Sequence, residues 1–308
     1  MPDFRHIVTT EEDGEEVRVL MRRHFDLSSR LRGRIKREHR LHLNGVPAEG
    51  FHRAKAGDVV SIDMPEERSH FPAEDIPVYP VFEDDDMLLL NKQPYVTVHP
   101  TKGHTRGTIA NGLMTHMEKT GKPFKVRFVN RLDMDTSGLL IVAKNAYVQN
   151  DLMRQMKRGN LSKEYIALVC GIISGSSGTI DLPIGHSDPT SPCRDVCEDG
   201  APSVTHYEVM ERFFCAGAAS GSDMGYTLVR LKLETGRTHQ IRVHMSYIGH
   251  PVVSDILYGT PCPELIGRQA LHAAALRFTH PGTKKELHIE APIPDDMQQA
   301  IQRLREQG

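Results

Sequence analysis

The spacing of hydrophobic positions changes several times along the chain, and each change marks an element. Val17, Leu20, Met21, Phe25 and Leu27 fall at roughly helical intervals. Ser28 or Ser29 is then a candidate cap for a second, arginine-rich helix reaching Lys36. From Leu41 to Val46 the pattern alternates around Asn44-Gly45, a dipeptide that favours a tight hairpin. Asp58-Val59-Val60-Ser61-Ile62 predicts another strand after the turn at Gly57. Residues 65–77 are polar, contain Pro65, Pro72 and Pro77, and show no period, as a linker does. Residues 81–90 predict two strands joined by an acidic turn. The unbroken apolar run 139–143 predicts a buried strand entered through Ser137-Gly138. Val148, Leu152 and Met156 mark a helix, and 165–169 and 227–233 mark strands. Residues 239–248 predict a helix stopped by Gly249, with Ile241, Met245 and Ile248 on an apolar face. His239, Arg242 and Ser246 share its other face. Residues 171–200 predict exposed loops, and no internal repeat is present.

The chain has 308 residues, 39% hydrophobic and 25% charged, which suits a soluble protein with one large domain and one small one. No apolar run approaches the roughly 18 residues of a membrane span. The N-terminus lacks the apolar core of a signal peptide, so the expected compartment is the cytoplasm. The cysteines, Cys170, Cys193, Cys197, Cys215 and Cys262, are odd in number and read as reduced thiols. A net charge of −2 argues little for nucleic acid, but the charge is polarised. Between Arg18 and Arg40, nine basic residues meet only Asp26 and Glu38. Arg30, Arg32, Arg34, Lys36 and Arg37 fall on or beside the second predicted helix, as RNA contacts or as a solvated basic face.

Two segments concentrate reactive side chains. Asn130-Arg131-Leu132-Asp133-Met134-Asp135-Thr136-Ser137-Gly138 runs straight into the buried strand, so Asp133 stands on rigid backbone and faces a cleft. Farther on lies Gly236-Arg237-Thr238-His239-Gln240-Ile241-Arg242-Val243-His244. Neither segment has metal-ligand spacing, a phosphate loop or a Ser–His pair. Together they predict one reactive carboxylate, Asp133 or its neighbour Asp135, with an arginine partner, Arg242 or Arg237. A guanidinium can grip a carboxylate bidentately and orient it in a dry pocket. The 17 histidines are scattered and Cys193 and Cys197 lack a second pair, so no metal site is expected.

The 130–138 segment resembles the motif His-Arg-Leu-Asp-x-x-Thr-Ser-Gly of RluA-type RNA pseudouridine synthases. The likeness continues through Leu161-Ser162-Lys163-Glu164-Tyr165, the 236–244 segment, Gly249-His250-Pro251 and Arg268-Gln269-Ala270-Leu271-His272-Ala273. These fall in the family's order across residues 76–295. The resemblance implies isomerisation of uridine to pseudouridine in RNA, without cofactor or metal. It makes Asp133 the nucleophile and Arg242 its partner. It gives Tyr165 a ring that stacks on uracil and a hydroxyl that takes part in proton transfer. Arg131 would fill the space of the flipped base, Arg237 would contact phosphate, and Leu271 would wall the uracil pocket. Asn130 replaces the motif's histidine, and Ser254 stands where many relatives carry glycine.

Residues 1–66 resemble the alpha-L RNA-binding fold of a small-subunit ribosomal protein. The expected fold is α+β: a mixed, mainly antiparallel sheet with flanking helices, plus a small N-terminal domain of two helices and a hairpin. Its expected parts are the RNA-binding domain over 1–66, a linker over 67–77, the catalytic domain over 78–300 and a tail over 301–308. The expected partner is RNA, with large-subunit ribosomal RNA ahead of transfer RNA; no membrane is expected, and the chain is expected to act as a monomer. The rival is a non-catalytic RNA-binding or ribosome-assembly protein that retains the fold. A hydrolase using the same aspartate lacks a water-activating base.

Overall fold

The N-terminal unit is built from β1 (Arg5–Ile7), α1 (Val17–His24), α2 (Ser29–Arg37), β2 (Leu41–Leu43), β3 (Val46–Pro47) and β4 (Val59–Ile62). This computed structural model describes residues 4–65, 67–101, 105–186, 188, 191, 193–214 and 225–307; Cys215 lies outside them. Ser28 caps α2 by accepting the Leu31 N–H at 3.2 Å. Asn44 and Gly45, at φ 53 and 78, make the tight turn between β2 and β3. The strands pair in the order β1-β4-β2-β3, and β1 is an edge that the periodicity did not predict.

The larger unit contains β5 (Pro80–Glu83), β6 (Met87–Lys92), α3 (Ile109–Thr120), β7 (Arg127–Phe128), β8 (Ser137–Ala143), α4 (Ala146–Lys157), β9 (Ser162–Cys170) and β10 (Ser177–Asp181). There follow β11 (Ile184–Gly185), β12 (Asp195–Val196), β13 (Val204–Phe214), β14 (Gly225–Leu233), α5 (Gln240–Tyr247), β15 (Leu271–Thr279), β16 (Glu286–Glu290) and α6 (Asp295–Gln307). Its main sheet runs β10-β13-β14-β9-β15-β8-β6-β5, with β16 on β15 and β7 on β8. The described pairings are antiparallel except β15 with β8. The fold is α+β, as expected.

Every residue of β8 is buried, so the strand is covered on both faces. Leu140 and Val142 pack into one core with α3 and α6, whereas Leu139, Ile141 and Ala143 pack into a second with α4. That second core continues into the N-terminal unit through Phe4, Val17, Leu20 and Phe25. The Phe4 ring meets Tyr147 of α4 edge-on, 5.0 Å between centroids. The N-terminal unit is therefore docked on the main sheet by shared apolar burial.

Two expected segments differ. The 67–77 stretch has no regular structure, yet it is strapped to its surroundings rather than free. Ser69 Oγ accepts the Val126 N–H at 2.9 Å, Asn111 Nδ2 donates to the Pro72 carbonyl at 2.9 Å, and Thr115 Oγ1 donates to the Glu74 carbonyl at 2.7 Å. A Cβ on Gly112 of α3 would meet the Ile76 carbonyl at 2.5 Å, so glycine lets the strap lie against the helix. The expected tail over 301–308 is, through Gln307, the end of α6. Met297, Ala300, Ile301 and Leu304 are buried at intervals of three and four, a helical stripe that periodicity alone could have exposed.

Deleting residues 1–66 should lower the denaturation midpoint of the remainder and raise its binding of a hydrophobic dye, because the deletion uncovers the face made by Met87, Leu89, Leu139 and Ile141. An unchanged midpoint would mean that the two units are energetically independent.

Candidate active site

Gly138 sets the entry to β8. Its φ is 109, and a Cβ there would meet the Ala273 carbonyl at 2.2 Å, so the parallel approach of β8 and β15 requires glycine. The loop just ahead is fixed peptide by peptide. Thr136 N donates to Asp133 O at 3.2 Å. Lys92 Nζ donates to Met134 O at 2.8 Å and Arg268 Nη1 to Asp135 O at 2.9 Å. Both cations are buried. Burial pulls the Lys92 pKa down to about 7. Its bonds to the carbonyls of Gln93, Val96 and Met134 pull the other way, because they use all three ammonium protons. Asp296, in the first turn of α6, grips Arg268 bidentately at 2.6 and 2.9 Å. The C-terminal helix thus braces the loop that carries Asp133.

Arg242 lies on α5 with only 4% of its surface exposed, not on a solvent face. Its bidentate partner is Asp255, with Nε to Oδ2 at 2.6 Å and Nη2 to Oδ1 at 2.8 Å. The remaining Nη1 donates to Asp133 Oδ2 at 2.9 Å. The bidentate grip expected on the reactive carboxylate therefore falls on a second one. Burial disfavours the guanidinium charge, but Asp255 and Asp133 outweigh it and hold the pKa above arginine's ordinary value. Asp255 is fully buried and also accepts the N–H groups of Leu257 and Tyr258 at 2.9 and 3.1 Å. Sequence reasoning did not single it out. The available signal was an acid two residues after the apolar pair Val252-Val253 and next to Ile256, a setting in which a buried carboxylate needs a cation.

Asp133, Tyr165, Arg242 and Leu271 line one recess of about 60 Å³, together with Arg131, Arg237 and His239. Through Arg131, Tyr165 and Arg237 the recess joins a cleft of about 540 Å³. Asp135 lines neither hollow. Tyr165 is buried on β9, and that burial, with Asp133 adding to it, pushes the phenol pKa well up. Arg131 and Arg237 are exposed at the rim, and Arg237 Nε donates to the Pro202 carbonyl at 3.2 Å.

The model of the family described as RNA pseudouridylate synthase matches residues 86–247. An uncharacterized RNA pseudouridine synthase of Bacillus subtilis, YjbO, is 43% identical over 263 residues, 85% of this chain and 89% of the relative. The ribosomal large subunit pseudouridine synthase D of Vibrio cholerae is 37% identical over 293 residues, 89% of this chain and 87% of the relative. The chain belongs to the RNA pseudouridylate synthase family. It is an RNA-modifying isomerase by that membership. Among solved structures, human RNA pseudouridylate synthase domain containing 1 is similar with a TM-score of 0.56 at 29% identity, over 76% of this chain and 97% of that one.

The synthase's departures from the motif are structural. Asn130 Nδ2 donates to Leu139 O at 3.0 Å and its Oδ1 accepts the Ile141 N–H at 2.8 Å, so the side chain extends the hydrogen bonding of β8. Ser254 sits at φ 58, in the left-handed region that favours glycine; its hydroxyl donates to Ile266 O at 2.6 Å and accepts the Cys262 N–H at 3.0 Å.

The basic residues of α2 divide over two sides. Arg30, Arg34 and Arg37 line a groove of about 800 Å³ that also touches Lys125 and Arg127. Arg32 and Lys36 line a separate hollow of about 430 Å³ with Arg18 and Arg22. Arg34 is committed to Glu67 at 2.8 Å and Glu38 at 2.6 Å. Through His99, Phe128 and Met153, the groove is continuous with the cleft above Asp133. Among the described residues, one cluster has metal-ligand chemistry. It is His6, Glu12 and His24 in the N-terminal unit, where both imidazoles bond Glu12 directly, at 2.6 and 2.5 Å.

Asp255→Asn should lower kcat at least about tenfold, equivalent to about 1.4 kcal/mol of transition-state stabilisation, while RNA affinity stays within a few-fold. Asparagine cannot hold two guanidinium nitrogens as acceptors, so Nη1 loses its fixed aim at Asp133. Unchanged kcat in the folded variant would show that Asp133 orients Arg242 unaided.

Proposed function

We propose that this synthase isomerises uridines of large-subunit ribosomal RNA in the cytoplasm, acting as a monomer with Asp133 as its nucleophile. The observation that carries the reading is a single carboxylate, bonded by the buried Arg242 at the floor of a recess that opens toward a basic groove. An Asp133 oxygen attacks ribose C1′ as the C1′–N1 bond breaks, the uracil turns, and C5 bonds to C1′ as the carboxylate leaves. Tyr165 stacks on the ring, Leu271 walls it, and Arg131 occupies the space left when the base is extruded, a step that costs a few kcal/mol. With its phenol pKa pushed up, Tyr165 serves as a protonated stacking surface. Arg237 meets phosphate at the rim. The choice of large-subunit ribosomal RNA rests on the synthases named for that substrate, at 37–40% identity.

The N-terminal unit is read as the RNA-binding module. Arg30 and Arg37 face the groove and, unlike Arg34, have no carboxylate partner among the described residues. Arg32 and Lys36 serve a second strand or a flanking helix on the far side of α2.

Asp133→Asn keeps the shape of the side chain and should abolish conversion in a folded protein; turnover by that variant would sink the nucleophile assignment. Carbodiimide-blocked reverse transcription, comparing wild type with a strain lacking the gene, should show stops lost from large-subunit ribosomal RNA. Stops lost from transfer RNA alone would replace that substrate with the other.

Replacing Arg30 and Arg37 together by alanine should make the slope of log affinity against log salt shallower by about 1.4–1.8, since each phosphate contact contributes about 0.7–0.9. Turnover at saturating RNA should be retained. An unchanged slope would leave α2 as a solvated basic face.

A further inference from the structure

His239 holds a strained backbone conformation at the edge of the site. It precedes α5 at φ 57 and ψ 17, in the left-handed region that residues other than glycine enter at a cost. Its side chain lines the recess with Asp133, Tyr165 and Arg242. Its two ring nitrogens have different neighbours. Nδ1 lies 2.9 Å from the Tyr258 hydroxyl. That hydroxyl already accepts the Arg194 N–H at 2.7 Å, and burial pushes the phenol pKa up to about 12, so it keeps a proton to donate. Among the described residues, Nδ1 is the acceptor in its reach. A neutral imidazole that accepts at Nδ1 carries its own proton on Nε2. Burial also holds the imidazole below histidine's ordinary pKa, against the opposing influence of Asp133. Nε2 stands 3.8 Å from Asp133 Oδ2, too far for a hydrogen bond. The recess therefore contains a fixed, neutral donor with no hydrogen-bond acceptor among the described residues.

We propose that the Nε2–H of His239 donates to the uracil carbonyl oxygen that carries negative charge while the base is detached from the ribose. The proposal rests on the reading of Asp133 as nucleophile. As an Asp133 oxygen bonds to C1′, the electron pair of the C1′–N1 bond passes to the base and spreads over O2 and O4. A half-turn of the ring about its N3–C6 axis exchanges N1 with C5 and O2 with O4. One stationary donor thus meets a carbonyl oxygen before and after the turn. C5 then bonds to C1′, the Asp133 oxygen departs with its electron pair, C5 loses its proton and N1 gains one, so the reaction is an isomerisation throughout. A neutral donor suits the position. An imidazolium would be drawn onto Asp133 Oδ2, 3.8 Å away and already bonded by Arg242, and would be lost as a donor to the base. Cytosine would present its C4 amino donor to Nε2 on one side of the half-turn or the other, so the same contact favours uracil.

The test is a substitution cycle on the full-length protein, in single turnover. The substrate is a large-subunit ribosomal RNA fragment carrying the mapped uridine, or 2-thiouridine, 4-thiouridine or 2′-deoxyuridine at that position. His239→Leu should slow conversion of the uridine substrate about 10²- to 10³-fold, the range seen for removing one donor to a developing anion. Binding of the RNA should stay within a few-fold, and His239→Gln, which keeps an N–H donor, should recover part of the rate. Sulfur accepts hydrogen bonds weakly, so His239→Leu should lose much less on the thiouridine substrates than on uridine. Equal losses on uridine and both thiouridines would overturn the proposal. A loss that vanishes only with 2′-deoxyuridine would also overturn it, assigning the donor to the sugar. Thermal unfolding of each variant checks the fold, and if the leucine variant is unfolded, the same cycle with His239→Asn decides. Asp133→Asn on the same RNA separates the two readings: turnover there would remove the nucleophile without reference to His239.

Discussion

A buried guanidinium shared between two carboxylates governs the geometry of this enzyme. Taking charges out of water costs several kcal/mol per ion unless the partners are well placed. Arg242 meets that demand with three short bonds, two to Asp255 and one to Asp133. Asp255 is itself satisfied by two backbone N–H groups of the turn that follows it. Two of the three bonds hold the arginine, and the third presents it to Asp133, the proposed nucleophile. Fixing the orientation of a charged group before substrate arrives avoids reorganising it during the reaction, and this is where such sites gain most.

The same economy of conformation appears in the backbone around Asp133. The carbonyls of Met134 and Asp135 are each held by a buried cation, Lys92 from β6 and Arg268 from the segment before β15. Arg268 is anchored by Asp296 of α6, which lies beyond the part of the chain that matches the family model. The loop is therefore bounded by elements from both ends of the larger unit, and the all-buried β8 gives it a rigid base. The second core, on the opposite face of β8, binds the N-terminal unit. Docking fixes the basic groove relative to the recess, so an RNA strand bound along α2, as proposed, would reach the cleft over a defined path.

What periodicity, motif and resemblance made legible was substantial. The helices of the N-terminal unit, its Asn-Gly turn, the buried strand after Gly138 and the helix carrying Arg242 all follow from local patterns, because side-chain period and turn chemistry are written over a few neighbouring residues. Asp133, Tyr165, Arg242 and Leu271 were named from their segments, and the structure brings them to one recess. The amphipathic stripe of α6 was present in the sequence as well, hidden by a short, highly charged segment that resembled a tail.

Other features had no local signature. The bidentate partner of Arg242 is Asp255, thirteen positions on, and nothing but the fold of the 249–258 turn brings it there. Arg34 belongs to the same basic run as Arg30 and Arg37, yet an acid from the 67–77 strap claims it. His239 became distinctive through a hydroxyl on Tyr258 and a carboxylate on Asp133, in separate segments. The sequence by itself determined the chemistry at hand: which residues could act and which elements would carry them. Tertiary structure decided which charges are spent on one another and which remain for substrate, because pairing in a desolvated site depends on ångström distances between residues far apart in the chain.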